Sequence, residues 1–119
     1  MSYVDGYVLA IPKKHLKAYR RMAMMGKKAW MKHGAVDYKE CAGDDLAAKW
    51  GTPFTRVMKL KPGETAIFAY IVFKSRAHRD RVNAKVMKDK RLASMMDPKK
   101  MPFDAKRMFW GGFKPIVSL

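Results

Sequence analysis

The side chains to weigh first for metal binding, nucleophilic attack and acid–base work are three histidines, one cysteine and ten acidic residues. His15, His33 and His78 are scattered, with neither His-x-His nor HExxH spacing. The first two lie at opposite ends of one expected helix, about 27 Å apart by helical rise. They read as surface or edge histidines. Cys41 stands alone, so neither an intrachain disulfide nor a cysteine-based zinc site can form, and no adjacent histidine activates it. Asp44-Asp45, directly after Gly43, reads as turn chemistry, because aspartate bonds nearby backbone amides. Gly111-Gly112 lacks the spacing of a phosphate loop. No metal and no cofactor is expected.

Asp5 is the carboxylate of most interest. It sits between Tyr3 and Tyr7, where desolvation would raise its pKa towards the range of a general base, or where a lysine or arginine would simply pair with it. Strand alternation puts Asp5 and Tyr7 on one side, where Tyr38, Tyr70 and Trp110 can meet them. Asp5, Tyr7, Tyr38, Tyr70 and Trp110 are therefore the candidate lining of a small-molecule pocket, with mixed apolar walls and few polar groups. A second candidate surface is basic. Arg79, Arg81, Lys85 and Lys88 fall within one expected helix, and the first helix adds eight more cations.

The charge belongs to the whole chain. Lys and Arg number 26 against 10 Asp and Glu, a formal +16, with a pI near 10.2. Such a balance attracts nucleic acid, acidic protein, phosphorylated ligands and anionic membrane surfaces, and says nothing about fold. No helix-turn-helix and no RNA-binding aromatic signature accompanies it. Composition is otherwise that of one globular domain: 119 residues, 49% hydrophobic and 12% aromatic. The longest apolar run, Ala66 to Phe73, is far short of the roughly 20 residues of a membrane span. Membrane insertion is not expected. The start of the chain lacks a basic, apolar leader and the single cysteine suits a reducing compartment, so a cytoplasmic location is expected.

The elements that must position these residues follow from periodicity. Tyr3 to Ile11 reads as a strand ending at Pro12. From Lys13 to His33 the period lengthens: Leu16, Tyr19, Ala23, Trp30 and His33 form one stripe of a helix that Gly34 stops. Gly26 inside it costs about 1 kcal/mol against alanine unless close packing requires it. Ala35 to Ala42 reads as a second strand, Phe54 to Leu60 as a short strand or helix, and Thr65 to Lys74 as a central strand. Ser75 caps a helix through Asp89 with Val82 and Val86 inward. A methionine-rich stretch, Leu92 to Met101, follows; it includes Met95 and Met96 and breaks at Asp97-Pro98. Lys106 to Val117 is the last strand. The fold class is therefore α+β: a ferredoxin-like βαββαβ sandwich over residues 1–119 as a single domain. In the first strand, Val4, Gly6, Val8 and Ala10 are small and are expected under the helices. Tyr3, Tyr7, Phe68, Tyr70 and Trp110 are expected on the open face, as an apolar patch that a second copy would cover.

Several stretches carry a resemblance. Tyr3-Val4-Asp5-Gly6, Gly43-Asp44-Asp45, the run from Arg79 to Asp89 and the run from Met101 to Ile116 together resemble the YbaA-like family of small bacterial proteins, a domain of unknown function (DUF1428). The resemblance covers nearly the whole chain. It implies a dimeric α/β barrel made from two ferredoxin-like units and brings no established activity. Members of that family are near neutral or acidic, so a function based on charge would be this chain's own.

Residues and resemblance together assign no reaction. The leading expectation is a homodimer of unknown function with a small-molecule pocket between sheet and helices. The alternative is an accessory protein that binds nucleic acid or another polyanion, without sequence preference, through its basic helical faces.

Overall fold

In the computed structural model, which describes residues 2–95, 97 and 99–118, a four-stranded antiparallel sheet carries four α-helices. The strands are β1 (Tyr3–Pro12), β2 (Asp37–Ala42), β3 (Glu64–Phe73) and β4 (Phe109–Phe113). The helices are α1 (Leu16–Lys32), α2 (Phe54–Val57), α3 (Arg76–Met87) and α4 (Lys90–Met95). Short 3-10 turns at Lys13–His15 and Ala105–Arg107 precede α1 and β4. The chain is a mixed α+β protein, with sheet order β2-β3-β1-β4. Met1, Met96, Pro98 and Leu119 lie outside the described residues, and with them part of the break expected at Asp97-Pro98.

Local sequence explains the element ends. Gly34 takes φ +110, a backbone conformation that glycine adopts at little cost. Its amide donates to the Met31 carbonyl and that of Ala35 to the Trp30 carbonyl, the paired bonds of a Schellman stop. The Ser75 hydroxyl accepts from the His78 amide and starts α3. The segment from Phe54, legible from sequence as either state, is a single helical turn, and its C-terminal neighbour Met58 is buried.

Register settles which side chains share a face. Across β2-β3-β1-β4, one row runs Glu40, Ala69, Tyr7, Trp110 and the next runs Tyr38, Ile71, Asp5, Gly112. These rows lie under the helices. Tyr3, Ile71 and Phe73 pack with Ala29 and Trp30 of α1 and with Val82 and Val86 of α3. Leu9, Ile11, Ile67 and Ala69 pack around Tyr19. The intervening rows, Cys41-Phe68-Val8-Phe109 and Lys39-Tyr70-Gly6-Gly111, face away.

This reverses one expectation. The helices cover the face of Tyr3, Asp5, Tyr7 and Leu9, and the small-residue side of β1 is the open one. Alternation assigns residues to two sets but does not say which set meets a helix. Aromatic side chains fill a wide gap between sheet and helices here, so small residues are not needed beneath them. The expected aromatic patch divides accordingly. Tyr3, Tyr7 and Trp110 lie on the helix side. Phe68 and Tyr70 lie on the open side, because a shift of one residue in β3 register moves a side chain to the other face. Phe68, Phe109 and Phe113 are about half exposed there. One end of that face is covered, where Met58 packs on Ala10 and Ala66 with Leu46 and Leu60 beside it.

Candidate functional site

A cavity of about 310 Å³ opens between the sheet and the helices. Its floor is the small side chain of Ala69 together with Leu9 and Ile71, and α1 roofs it with Tyr19, Met22, Ala23, Gly26 and Trp30. Three aromatic pairs stand in its wall. Tyr7 stacks on Trp110 at 5.9 Å between ring centroids, Tyr19 meets Phe103 edge-on at 5.7 Å, and Tyr38 tilts against Trp30 at 6.1 Å. Methionines 22, 87, 101 and 108 complete a pliable apolar lining.

The segment that brings Met101, Phe103 and Met108 to the wall is tied down at both ends. A ring nitrogen of His15 lies 3.0 Å from the Pro102 carbonyl oxygen. Arg107 donates twice to Glu64, at 2.6 and 2.9 Å, and reaches the Lys59 carbonyl at 3.2 Å. The Arg107 guanidinium and the Lys61 amide hold the Glu64 carboxyl down at about 2.

Glu40 is the acid of the cavity. Alternation along β2 puts it on the same side as Tyr38, two residues earlier. Tyr38 donates its hydroxyl to Glu40 Oε2 at 2.5 Å, and Tyr19 donates to Oε1 from α1. Burial, then the charge of Glu40 and these bonds, raise the phenols of Tyr19 and Tyr38 well above the usual tyrosine range, so both remain donors. Tyr7 is raised as well, by burial and then by the charges of Asp5 and Glu40. Among the described residues, no Lys, Arg or His nitrogen pairs with Glu40 within 4.0 Å. A neighbouring cavity of about 360 Å³ shares Tyr19, Tyr38 and Glu40 and runs out between α1 and β2 past Arg20 and Lys27.

Gly26 has its reason in this arrangement. A Cβ on it would stand 3.0 Å from the Tyr38 hydroxyl, tighter than ordinary contact. The glycine lets β2 bring Tyr38 up to α1.

Asp5 is committed elsewhere. It is fully buried, with Arg79 Nη1 3.5 Å from Oδ1 and the Asn83 amide donating to Oδ2 at 3.4 Å. Asn83 also accepts from the Trp30 indole at 2.9 Å. Arg79 lies over the Tyr3 ring and donates to its hydroxyl at 3.3 Å. Burial pushes the Asp5 carboxyl up, with Arg79 and then Asn83 pulling it partly back.

Of the pocket residues read from sequence, Tyr7, Tyr38 and Trp110 line the cavity. Asp5 sits behind it, one cross-strand row away. Tyr70 is on the opposite face of the sheet, paired with Gly6, and leaves the set. Tyr19 and Glu40 were not among those residues. The alternation of Tyr38 and Glu40 on β2 was the available signal for Glu40; Tyr19 lay in the helix stripe as a core position. The basic set also divides. Arg81 and Lys85 of α3 and Lys88 at its C-cap are exposed, whereas Arg79 turns inward to Asp5 because it shares the buried side with Val82 and Val86. Among the described residues, no cluster of His, Cys, Asp and Glu could hold a metal ion.

Comparison with known proteins agrees with the resemblance. The family described as "Protein of unknown function (DUF1428)" matches residues 2–105. The chain belongs to this family. It is 37% identical over 118 residues to the "Uncharacterized protein YbaA" of Escherichia coli (strain K12), covering 99% of both chains, and equally similar to the protein of that name in Shigella flexneri. Among solved structures, the "De novo designed protein Foldit4" superposes with a TM-score of 0.51 at 8% identity, over 97% of this chain and 99% of that one. That likeness concerns fold alone. None of the described helices is long and apolar enough to cross a membrane.

Proposed function

We propose that this protein is a homodimeric, ferredoxin-like βαββαβ unit that binds a small, largely apolar molecule in the cavity between its sheet and α1. The observation that carries the reading is the cavity itself: three aromatic pairs and four methionines around one carboxylate. Its size falls at the lower end of ligand sites, and few polar groups among apolar walls is their usual composition. The sheet order and the two split βαβ halves support the ferredoxin-like assignment. The open face supports the dimer. Phe68, Phe109 and Phe113 stand there at 49%, 50% and 61% exposure, beside Tyr70, Val72, Val4 and Val8. Two such faces packed together would form a barrel with the helices outside. A cytoplasmic location goes with this reading and rests on the single cysteine, Cys41.

Two measurements test it. Light scattering at micromolar concentration is expected to give a mass near twice 13.7 kDa, and Phe68→Asp to return it to the monomer value; a monomeric wild type would end the barrel reading. For the cavity, Trp50→Phe removes the outlying tryptophan, which is 92% exposed, and leaves Trp30 and Trp110 as reporters in the wall. A saturable fluorescence change with small aromatic ligands is expected. Ala69→Leu, which grows the floor into the space, is expected to abolish it.

One observation favours a second reading. Arg81, Lys85 and Lys88 form an exposed basic stripe on a protein of formal charge +16. The three changed together to Gln, with Arg79 left in place, is expected to weaken low-salt binding to duplex DNA. The slope of log affinity against log salt should fall by about 0.9 for each phosphate that the protein no longer neutralises. An unchanged slope would rule the stripe out as a binding surface.

A further inference from the structure

We infer that the cavity selects a ligand carrying a protonated amine on a compact apolar body, with Glu40 as the group that receives the ammonium. The inference rests on the cavity reading above and specifies its ligand class.

The argument starts from what Glu40 lacks. Its two oxygens accept one tyrosine hydroxyl each, from Tyr19 and Tyr38. A carboxylate offers about four lone-pair sites, so roughly two remain for a donor entering from the cavity. The protein supplies none of opposite charge: among the described residues, no cationic nitrogen lies within 4.0 Å of it. Among the described residues, neither Lys nor Arg lines this cavity. Arg20 and Lys27 belong to the neighbouring space, beyond Tyr19 and Glu40. The buried carboxylate of Asp5 shows what the fold does when it neutralises an acid internally, with Arg79 at 3.5 Å.

The walls point the same way. Tyr7, Tyr38, Trp30 and Trp110 present aromatic rings to the space, and a cation over such faces is attracted by the ring quadrupole, the more so when water is excluded. Around Glu40 the groups open to the cavity are acceptors, its own free lone pairs and the oxygens of Tyr19 and Tyr38, while the Tyr7 hydroxyl in the same wall remains a donor. Asn83 accepts from Trp30 and turns one amide hydrogen to Asp5. A ligand carboxylate would meet the charge of Glu40 with no Lys or Arg among the described lining residues to offset the repulsion. The formal +16 of the chain disfavours cations at long range, but beyond roughly 8 Å that field is screened at physiological salt, and among the described residues Glu40 is the one charged side chain in the cavity lining.

Three probes of one shape decide the matter: phenethylamine, phenethyl alcohol and phenylacetate, titrated at pH 7 into Trp50→Phe protein while the fluorescence of Trp30 and Trp110 is followed. The amine is expected to bind at least about ten times more tightly than the alcohol, and phenylacetate most weakly. Glu40→Gln is expected to erase the difference between amine and alcohol, and Glu40→Asp, which keeps the charge, to retain most of it. Both variants must first show the near-ultraviolet dichroism of the parent. Should Glu40→Gln fail to fold, the wild-type ranking with Glu40→Asp still decides. If the alcohol or the acid binds as tightly as the amine, the ammonium assignment is overturned and the cavity reading stands. If none of the three alters the tryptophan signal, both are overturned.

Discussion

Asp5 on β1 and Glu40 on β2 project from the same side of one sheet, in adjacent cross-strand rows on either side of β3. Asp5 is sealed from solvent, paired with Arg79 and bonded to Asn83, and its carboxyl is pushed up by burial. Glu40 is half-buried, faces a cavity, and is held only by tyrosine hydroxyls. The sequence context favoured Asp5, flanked by two tyrosines. The fold uses that acid to anchor α3 to the sheet and leaves the less conspicuous one open. A shielded carboxylate is informative about binding only once its partners are known: one paired with a cation of the chain is structural, and one with spare acceptor sites facing a cavity is available.

Removing Arg79 breaks the comparison most severely. Arg79→Met leaves Asp5 without its cation and also takes the guanidinium from the Tyr3 ring. Breaking one side of a buried pair costs about 3 kcal/mol or more at pH 7. The pH dependence has a definite sign. An acid whose folded pKa lies above its unfolded value binds more protons when folded, so its contribution is full at low pH and is lost as pH rises through the folded pKa. Asp5 is already raised with Arg79 present, and losing Arg79 raises it further. The variant should therefore regain stability relative to wild type as pH falls from 7 towards 5, as read by urea unfolding at each pH. A deficit that stays constant with pH would show that Asp5 is not the origin of the loss.

How much of this was legible in the sequence depends on distance along the chain. The strands, the two long helices, the Gly34 stop and the Ser75 cap follow from periodicity and local chemistry, and the structure places them within a few residues of expectation. β4 is shorter than expected because the 3-10 turn at Ala105–Arg107 occupies its expected start and the chain leaves the sheet at Lys114-Pro115. Face assignment was lost at β3, where every position from Ala66 to Phe73 is apolar or aromatic and offers no polar phase marker. Tyr70 was misplaced for that reason, and Arg79 because a basic helix hides one inward cation among many outward ones. The Tyr19–Glu40–Tyr38 cluster joins a helix to a strand through tertiary packing, and no spacing rule encodes it.

A smaller perturbation reaches the Asp5 side through β4. A Cβ on Gly112 would clash with the hydroxyl and ring of Tyr3, which Arg79 and the surrounding core hold in place. Gly112→Ala must displace Tyr3 and loosen its bond to Arg79, at a cost of about 2 kcal/mol, typical of overpacking. Thermal unfolding should show the loss, while the Glu40 side of the cavity, one cross-strand row away, keeps its ligand response. A ligand response that disappears in parallel would mean that the two regions are not separable.

The mildest test acts on the Glu40 side. Gly26→Ala removes a flexible residue from the interior of α1, worth about 1 kcal/mol in helix propensity. Against that gain stands the new Cβ at 3.0 Å from the Tyr38 hydroxyl, which its bond to Glu40 keeps from retreating freely. The two effects oppose, so the net stability change should stay within about 1 kcal/mol of zero. Geometry is where the substitution should appear. Tyr38 has to shift by a few tenths of an ångström, changing its bond to Glu40 and its tilt against Trp30. The expected signature is near-native unfolding behaviour together with an altered near-ultraviolet spectrum and weaker ligand binding. Stability and binding that both match wild type would mean that Tyr38 can yield without disturbing Glu40, and that the glycine is there for another reason. Because Asp5 takes no part in this contact, the pH profile of Gly26→Ala should follow that of the parent.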